Sequence, residues 1–413
     1  MKDSLPIKGQ ESQQARRDAL CARFLSEFGP AGGDPQFAIS VPLRICPLGA
    51  HSDHQGGVVT GFAIDRSIDL VGSVSKVAKA EVVSLVFDQR SSVDYTHTFE
   101  KIPGDWGNYL RGAIASWRVS GRELTRGLQA VIDGRMPIGG LSSSAAVSIA
   151  YLKALAHAQE VEVSPSELVQ LVLQIENGYL GLHNGILDQS VILHSQRDVL
   201  TVIDCKTNRV TATSIGSTET PWEFLVVHSG LSRQLTATPF NQRVAECRDA
   251  ARELLKHSSM TVSDHPRLGD ISRDIYERHE GQLADPLRKR ARHFFTEAQR
   301  VQEGIAAWAA GDVARFGRLI TESGNSSIVN YESGSPALVA LYEILAEQPG
   351  VYGTRFCGGG FQGCSLALID PRKRESVLAA LHERYTARHP ELADSYSIHI
   401  CQSADAGIVE VLS

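Results

Sequence analysis

Apolar and polar positions alternate with a period of two along residues 37–42 (FAISVP), 81–87 (EVVSLVF) and 93–99 (VDYTHTF). That alternation, rich in β-branched residues, predicts strands. Over Ser143 to Ala158 (SSAAVSIAYLKALAHA) the pattern changes to a helical period. Ser164-Pro165-Ser166-Glu167 then offers a capping box with proline at the first helical position, opening a helix expected to reach about Asn177. Polar residues loosen the pattern over 204–221, which places a domain boundary there and gives domains of residues 1–215 and 216–413. The second half carries long helical stretches, then the strand-like runs 364–369 (CSLALI) and 396–402 (YSIHICQ). This order predicts an α+β protein of two domains meeting at a cleft.

Composition narrows the class. A chain of 413 residues exceeds one ordinary core and fits two domains of about 200 residues. A net charge of −6 supplies no global basic field, so neither nucleic acid nor a membrane surface is expected as a partner. An anionic ligand would need local positive groups. Seven scattered cysteines without a CxxC pair point to a reducing compartment and away from disulfides or zinc. The opening run MKDSLPIKGQESQQARRD has no apolar h-region, and no run approaches the roughly 18 apolar residues of a membrane span. A cytoplasmic location is expected; oligomeric state leaves no mark on the sequence.

Three segments carry chemistry. Met136 to Ala146 (MPIGGLSSSAA) is a glycine-bearing turn whose serines enter a strong helix former. The N–H groups of a helix N-terminus attract anions, glycine lets phosphate approach the backbone, and serine hydroxyls bond phosphate or magnesium. The plain alternative is a capped helix after a turn. No GxxxxGK[ST] loop is present. Gly358 to Gly363 (GGGFQG) matches GxGxxG in form, but a strand-like run follows it where a dinucleotide fold needs a helix. It is either a loop against a nucleotide or sugar, or a tight turn. Leu43 to Gly57 (LRICPLGAHSDHQGG) brings His51, Asp53 and His54 into one loop. Without a further His/Cys cluster these suit sugar hydroxyls better than a metal.

Together these segments resemble the GHMP kinases, and within them the galactokinase branch, over nearly the whole chain. RICPLGAHSDHQGG resembles that branch's sugar signature, PIGGLSSSAA the shared ATP motif, and GTRFCGGGFQGC the C-terminal glycine motif. Trp106-Gly107-Asn108-Tyr109, the run from Glu176 to Gln189, and Ser323 to Leu338 match in order. The resemblance implies a two-domain GHMP kinase fold with the active site between domains, ATP as phosphoryl donor and Mg2+ as cofactor. By the same match, Asp188 and Arg44 are the catalytic pair at the sugar's anomeric hydroxyl. Glu176 and Ser144 match the magnesium ligands. Pro137, Gly139, Gly140, Leu141, Ser142, Ser143, Ser144 and Ala145 match the ATP loop, Trp106 the adenine neighbour, and Gly358, Gly359 and Gly360 the C-terminal motif. Ala50, His51, Asp53, Gly185, Arg233 and Phe240 fall at the sugar.

Some positions depart from the pattern. Galactokinases carry glutamate where Ala50 stands, accepting a hydrogen bond from the C6 hydroxyl. A glutamate facing a C6 carboxylate at about 4 Å would cost on the order of 4 kcal/mol at an effective dielectric near 20. Alanine removes that repulsion, so this site resembles those of galacturonokinases more than galactokinases, and a small galactose-type sugar acid is the expected substrate. Arg233 is the expected cation for its carboxylate. Phe240 stands where the branch usually has a sugar-bonding tyrosine, and the ATP motif is one residue shorter than usual before Leu141. The alternatives are galactokinase proper and a non-catalytic sugar and ATP sensor on the same fold.

Overall fold

The computed structural model describes residues 5–7, 12–29, 33–134, 136, 139–231 and 238–412. Helix α1 (Gln13–Phe28) precedes β1 (Phe37–Ile45), the long β2 (Val58–Ser75), β3 (Lys79–Ser84), β4 (Gln89–Asp94), α2 (Asn108–Val119) and β5 (Gly127–Gly134). Then come α3 (Ser143–Gln159), α4 (Pro165–Leu173), α5 (Leu187–His194) and the hairpin β6 (Val199–Asp204) and β7 (Arg209–Ser214). The second half runs β8 (Glu223–His228), α6 (Phe240–His257), α7 (Arg273–His279), α8 (Leu287–Ala309), α9 (Val313–Val329) and α10 (Pro336–Ala346). It ends with β9 (Val351–Phe356), β10 (Cys364–Ile369), α11 (Arg374–Arg388), β11 (Ser397–Cys401), β12 (Ser403–Ala404) and β13 (Ile408–Val411).

Two sheets result. The first has nine strands in the order β13-β1-β2-β5-β3-β4, with β12 and the β6–β7 hairpin also attached through β2. All its pairings are antiparallel except β3 with β5. The second has four antiparallel strands, β11-β8-β10-β9. The expected boundary at 215/216 falls between β7 and β8, while residues 403–411 return to the first sheet and tie the two halves together.

The strand β10 occupies the expected residues, and every position of β8 and β10 is buried. The period of two explains how. Phe224, Val226, Leu366 and Leu368 face a core shared with the first sheet, while Leu225, Val227, Ala367 and Ile369 face α10 and α11. Helix α3 is apolar on most sides, and most of its residues from Ala145 to Ala158 are buried, as befits a helix packed within the core.

Three expectations are corrected in extent. The strand expected over 81–87 ends at Ser84, and a tight turn brings Phe87 against Trp106, with ring centroids 5.7 Å apart. The strand expected over 93–99 lies at Gln89–Asp94. Asp94 Oδ1 accepts from Thr96 N at 2.7 Å and Thr96 Oγ1 at 2.6 Å, the local bonding that turns a chain. Helix α4 has its capping box, with Ser164 N donating to Glu167 at 2.9 Å, but is α-helical only to Leu173. A π-helical turn over Gln174–Leu180 then widens the path, with Gly181 in the left-handed region behind it. Such wide turns re-aim side chains, and Glu176 lies in this one.

Candidate functional site

Arg44, at the end of β1, and Asp188, in the first turn of α5, form the centre of the cleft. Nε and Nη2 of Arg44 donate to Asp188 Oδ1 at 2.8 and 2.6 Å, and Nη1 donates to Gly140 O at 3.0 Å. Arg44 is buried; burial opposes its charge, but the Asp188 carboxylate outweighs that and raises its pKa. Gly140 has a φ of 79°, and a Cβ on it would lie 3.0 Å from Cys357 O. A Cβ on Gly358 would lie 2.9 Å from Gly140 Cα. The glycine motifs from the two ends of the chain therefore meet backbone to backbone, which only residues without side chains allow. Gly359 and Gly360 also line the cleft.

Beside this contact α3 begins. Ser142 has a φ of 59°, does not cap the helix, and its buried Oγ has no partner among the described residues. The first N–H groups of α3 therefore keep the field of a helix N-terminus open to Ser143 and Ser144 on the cleft wall. Leu141 is buried and its carbonyl accepts Arg44 N, while Ala145 lies in the core below. Ser144 Oγ donates to Glu176 Oε1 at 3.0 Å, and Asn184 Nδ2 donates to Oε2 at 3.1 Å. Glu176 is fully buried; burial first, then the charge of Asp188, pushes its carboxyl up to about 7. Pro137 lies outside the described residues.

The loop after β1 forms the third wall. Asp53 packs against Gly185, where a Cβ would lie 2.5 Å from Oδ2, so only glycine fits there. Burial and the neighbouring Asp188 push Asp53 up to about 6. His51 lies flat on Tyr331, with centroids 3.9 Å apart and planes 7° from parallel, and its buried Nε2 has no partner among the described residues. Phe240, at the start of α6, meets the His54 ring edge-on. Ala50 lines the cleft. Arg233 lies outside the described residues.

Helix α8 holds this loop in place. Glu297 Oε1 accepts from Gly49 N at 2.7 Å, and His293 Nε2 donates to Ala50 O at 2.9 Å. Neither residue stands out in sequence, because a Glu and a His four apart on an amphipathic helix read as a solvated face. Both are buried. At the far end, Trp106, Phe87 and Tyr109 line an aromatic compartment, with Trp106 Nε1 donating to Gln89 Oε1 at 3.0 Å. Phe87 and Asn184 also escape a reading by motif, since one sits in a turn and the other acts through Glu176. The cleft measures about 440 Å³. Among the described residues, no three His, Cys, Asp or Glu side chains gather as a metal cluster, His51, Asp53 and His54 included.

The site's parts match known proteins. Residues 108–196 match the family model of the GHMP kinases N terminal domain, and residues 303–387 that of GHMP kinases C terminal. A galacturonokinase of Arabidopsis thaliana is 41% identical, covering 90% of this chain and 93% of that protein. A galactokinase of Roseiflexus sp. (strain RS-1) is 31% identical, covering 94% and 95%. The crystal structure of Lactococcus lactis galactokinase complexed with galactose has a TM-score of 0.86 and 27% identity over 95% of this chain and 99% of that one. A mevalonate kinase structure shares the fold, with a TM-score of 0.62 at 17% identity, over 89% and 99%.

The chain belongs to the GHMP kinases, ATP-dependent enzymes of two α/β domains. Within them it is a sugar kinase of the galactokinase and galacturonokinase branch. The reading of the fold as a non-catalytic sensor is thereby set aside.

Proposed function

We propose that this enzyme transfers the γ-phosphoryl group of ATP to the anomeric hydroxyl of D-galacturonate, giving ADP and galacturonate 1-phosphate. The observation that carries the substrate is Ala50, a cleft-lining alanine where galactokinases have glutamate. The name of the 41% identical relative, galacturonokinase, supports the same reading.

Asp188 takes the proton of the sugar's O1 as that oxygen attacks the γ-phosphorus, and Arg44 balances the charge that develops. The phosphate chain lies along the N-terminus of α3, with Ser142 and Ser143 as hydroxyl donors. Adenine occupies the compartment of Trp106, Phe87 and Tyr109. His51 and Asp53 orient the sugar ring, and Phe240 gives it an apolar floor.

A divalent cation fits beside Glu176. That carboxylate is fully buried, accepts from the neutral Ser144 and Asn184, and is pushed up by burial and by Asp188, so a cation beside it would be stabilised. Glu176 and Ser144 would hold Mg2+, which supplies charge neutralisation for the β- and γ-phosphates. Glu176→Gln is expected to raise the Mg2+ concentration for half-maximal turnover about tenfold or more, as loss of a charged ligand does. A Mg2+ titration at saturating ATP reads this directly.

Among the described residues, no helix is long and apolar enough to cross a membrane, and the cysteines are free thiols. Both agree with a cytoplasmic enzyme acting on small molecules.

The test is an ADP-release assay with galacturonate, galactose and glucuronate. Galacturonate is expected to turn over fastest; turnover with galactose alone would make the enzyme a galactokinase. Ala50→Glu is expected to weaken galacturonate by about a thousand-fold, the equivalent of ~4 kcal/mol of carboxylate repulsion, and to favour galactose. Unchanged selectivity in that variant would show that position 50 does not sense C6.

A further inference from the structure

The ion pairs around Arg355, which shares the cleft with Ala50, are unequal in number. Arg355, near the end of β9, is 1% exposed yet lines the cleft. Its Nε donates to Phe356 O at 3.0 Å, Nη1 to Ser323 Oγ at 2.6 Å and Nη2 to Ser327 Oγ at 3.3 Å. A guanidinium has five N–H donors, so these three bonds leave it able to donate further. Among the described residues, the carboxylate within ion-pair reach is Glu297, 3.7 Å away. Glu297 is shared with Arg300, whose Nε lies 2.8 Å from its other oxygen. Two guanidinium groups thus face one carboxylate, a surplus of one positive charge.

Arg44 and Arg290 each have carboxylate partners. Arg44 is bound to Asp188 and Gly140 O. Arg290 donates to Glu246 and Glu332, each at 2.7 Å, and to Asn330 O. A second observation comes from His51, 6% exposed, which also lines the cleft and whose Nε2 lacks a partner among the described residues while Tyr331 fixes the ring plane. Burial first, then the neighbouring His293, Arg355, His54 and Arg290, which would each repel a second cation, holds its pKa well below the usual value, so the ring is neutral near pH 7. A neutral imidazole donates from one nitrogen.

From this arrangement we infer that Arg355 receives the carboxylate of the sugar acid, with His51 Nε2–H as the second donor. The substrate completes a cluster that is one anion short because position 50 carries alanine. The inference rests on the uronate reading above and names the residue that enforces it. Arg355 is then a specificity determinant: galactose, lacking the charge, gains little from it, whereas galacturonate without it brings an unpaired anion into a buried site.

The experiment measures KM for galacturonate and galactose in the wild type, Arg355→Gln and Arg355→Lys. In the wild type, galacturonate must be phosphorylated and must raise the thermal midpoint; if it does neither, the uronate reading fails and this inference with it. With that established, Arg355→Gln is expected to raise KM for galacturonate about 100-fold, as truncating a buried charge partner does, with KM for galactose changed less than about threefold. Arg300 still pairs Glu297 in that variant. Arg355→Lys keeps the charge but loses the fork, so an intermediate rise of about tenfold for galacturonate alone is expected, and this variant decides the matter if the glutamine form does not fold. Equal rises for both sugars, or no rise for galacturonate, would overturn the role of Arg355 while leaving the uronate reading intact.

Discussion

Asp188→Asn is expected to lower kcat by about 10²–10⁴-fold, the usual contribution of a positioned general base, with ATP affinity changed less than about threefold. The substitution keeps the side chain's shape, and its Oδ1 still accepts from Arg44 Nε, so the cleft stays assembled. What disappears is the place for the proton of O1 and the negative charge that balances Arg44. Asp188 is suited to such a trial because 21% of its side chain is exposed on the cleft while Arg44 is 3% exposed: the arginine sits behind the carboxylate, and the carboxylate is presented. Rapid-quench ADP formation, with nucleotide affinity from Trp106 fluorescence, separates chemistry from binding. A kcat loss below tenfold would make Asp188 an orienting group and leave proton removal to solvent.

How far such roles are legible in sequence depends on whether a local rule or a distant contact creates them. The capping box at Ser164 and the helix from Ser143 depend on neighbours three and four positions away, and both stand where their residues place them. Strand β10 is legible because a six-residue run with five apolar members, between a glycine loop and Asp370-Pro371, has few other options. Strand ends are less so. Ser84 and Asp94 stop their strands through turn bonds that compete with continued pairing, and apolar pattern does not record that competition. In the site, Arg44, Asp188, Glu176 and Ser144 announce themselves through dense motifs. Phe87, His293 and Glu297 do not, because their place follows from tertiary packing: α8 reaches the loop after β1 only when the second half folds over the first. Arg355 lies inside the C-terminal glycine motif, but the motif does not record that it faces the cleft beside Glu297.

Glu297→Ala is expected to be the most destabilising single change, by about 3–5 kcal/mol, the usual result of removing one partner from a buried ionic network. The Glu297 carboxylate serves four groups from four elements. It accepts from Gly49 N in the sugar loop and Ser323 Oγ in α9, pairs Arg300 of its own helix, and faces Arg355 of β9. Burial alone would raise its pKa, but Arg300, His293, Arg355 and the Ser323 hydrogen bond together bring it down to about 2. Its contribution is therefore complete at neutral pH, begins to fade below the unfolded carboxylate value near 4.3, and is lost as pH falls toward about 2. Alanine leaves the buried Arg355, the partly buried Arg300 and the Gly49 N–H without their acceptor, so KM for the sugar should rise through a loosened Gly49–His51 segment while KM for ATP stays close to wild type. Glu297→Gln keeps an acceptor for Gly49 N but no charge; it should lose less stability and flatten the acid limb of the stability–pH curve. Urea unfolding at pH 4 and pH 7, read beside the two KM values, checks all of this. An alanine variant as stable as the wild type, with an unchanged acid limb, would mean that the arginines relax to other partners and that the loop is held by His293 alone.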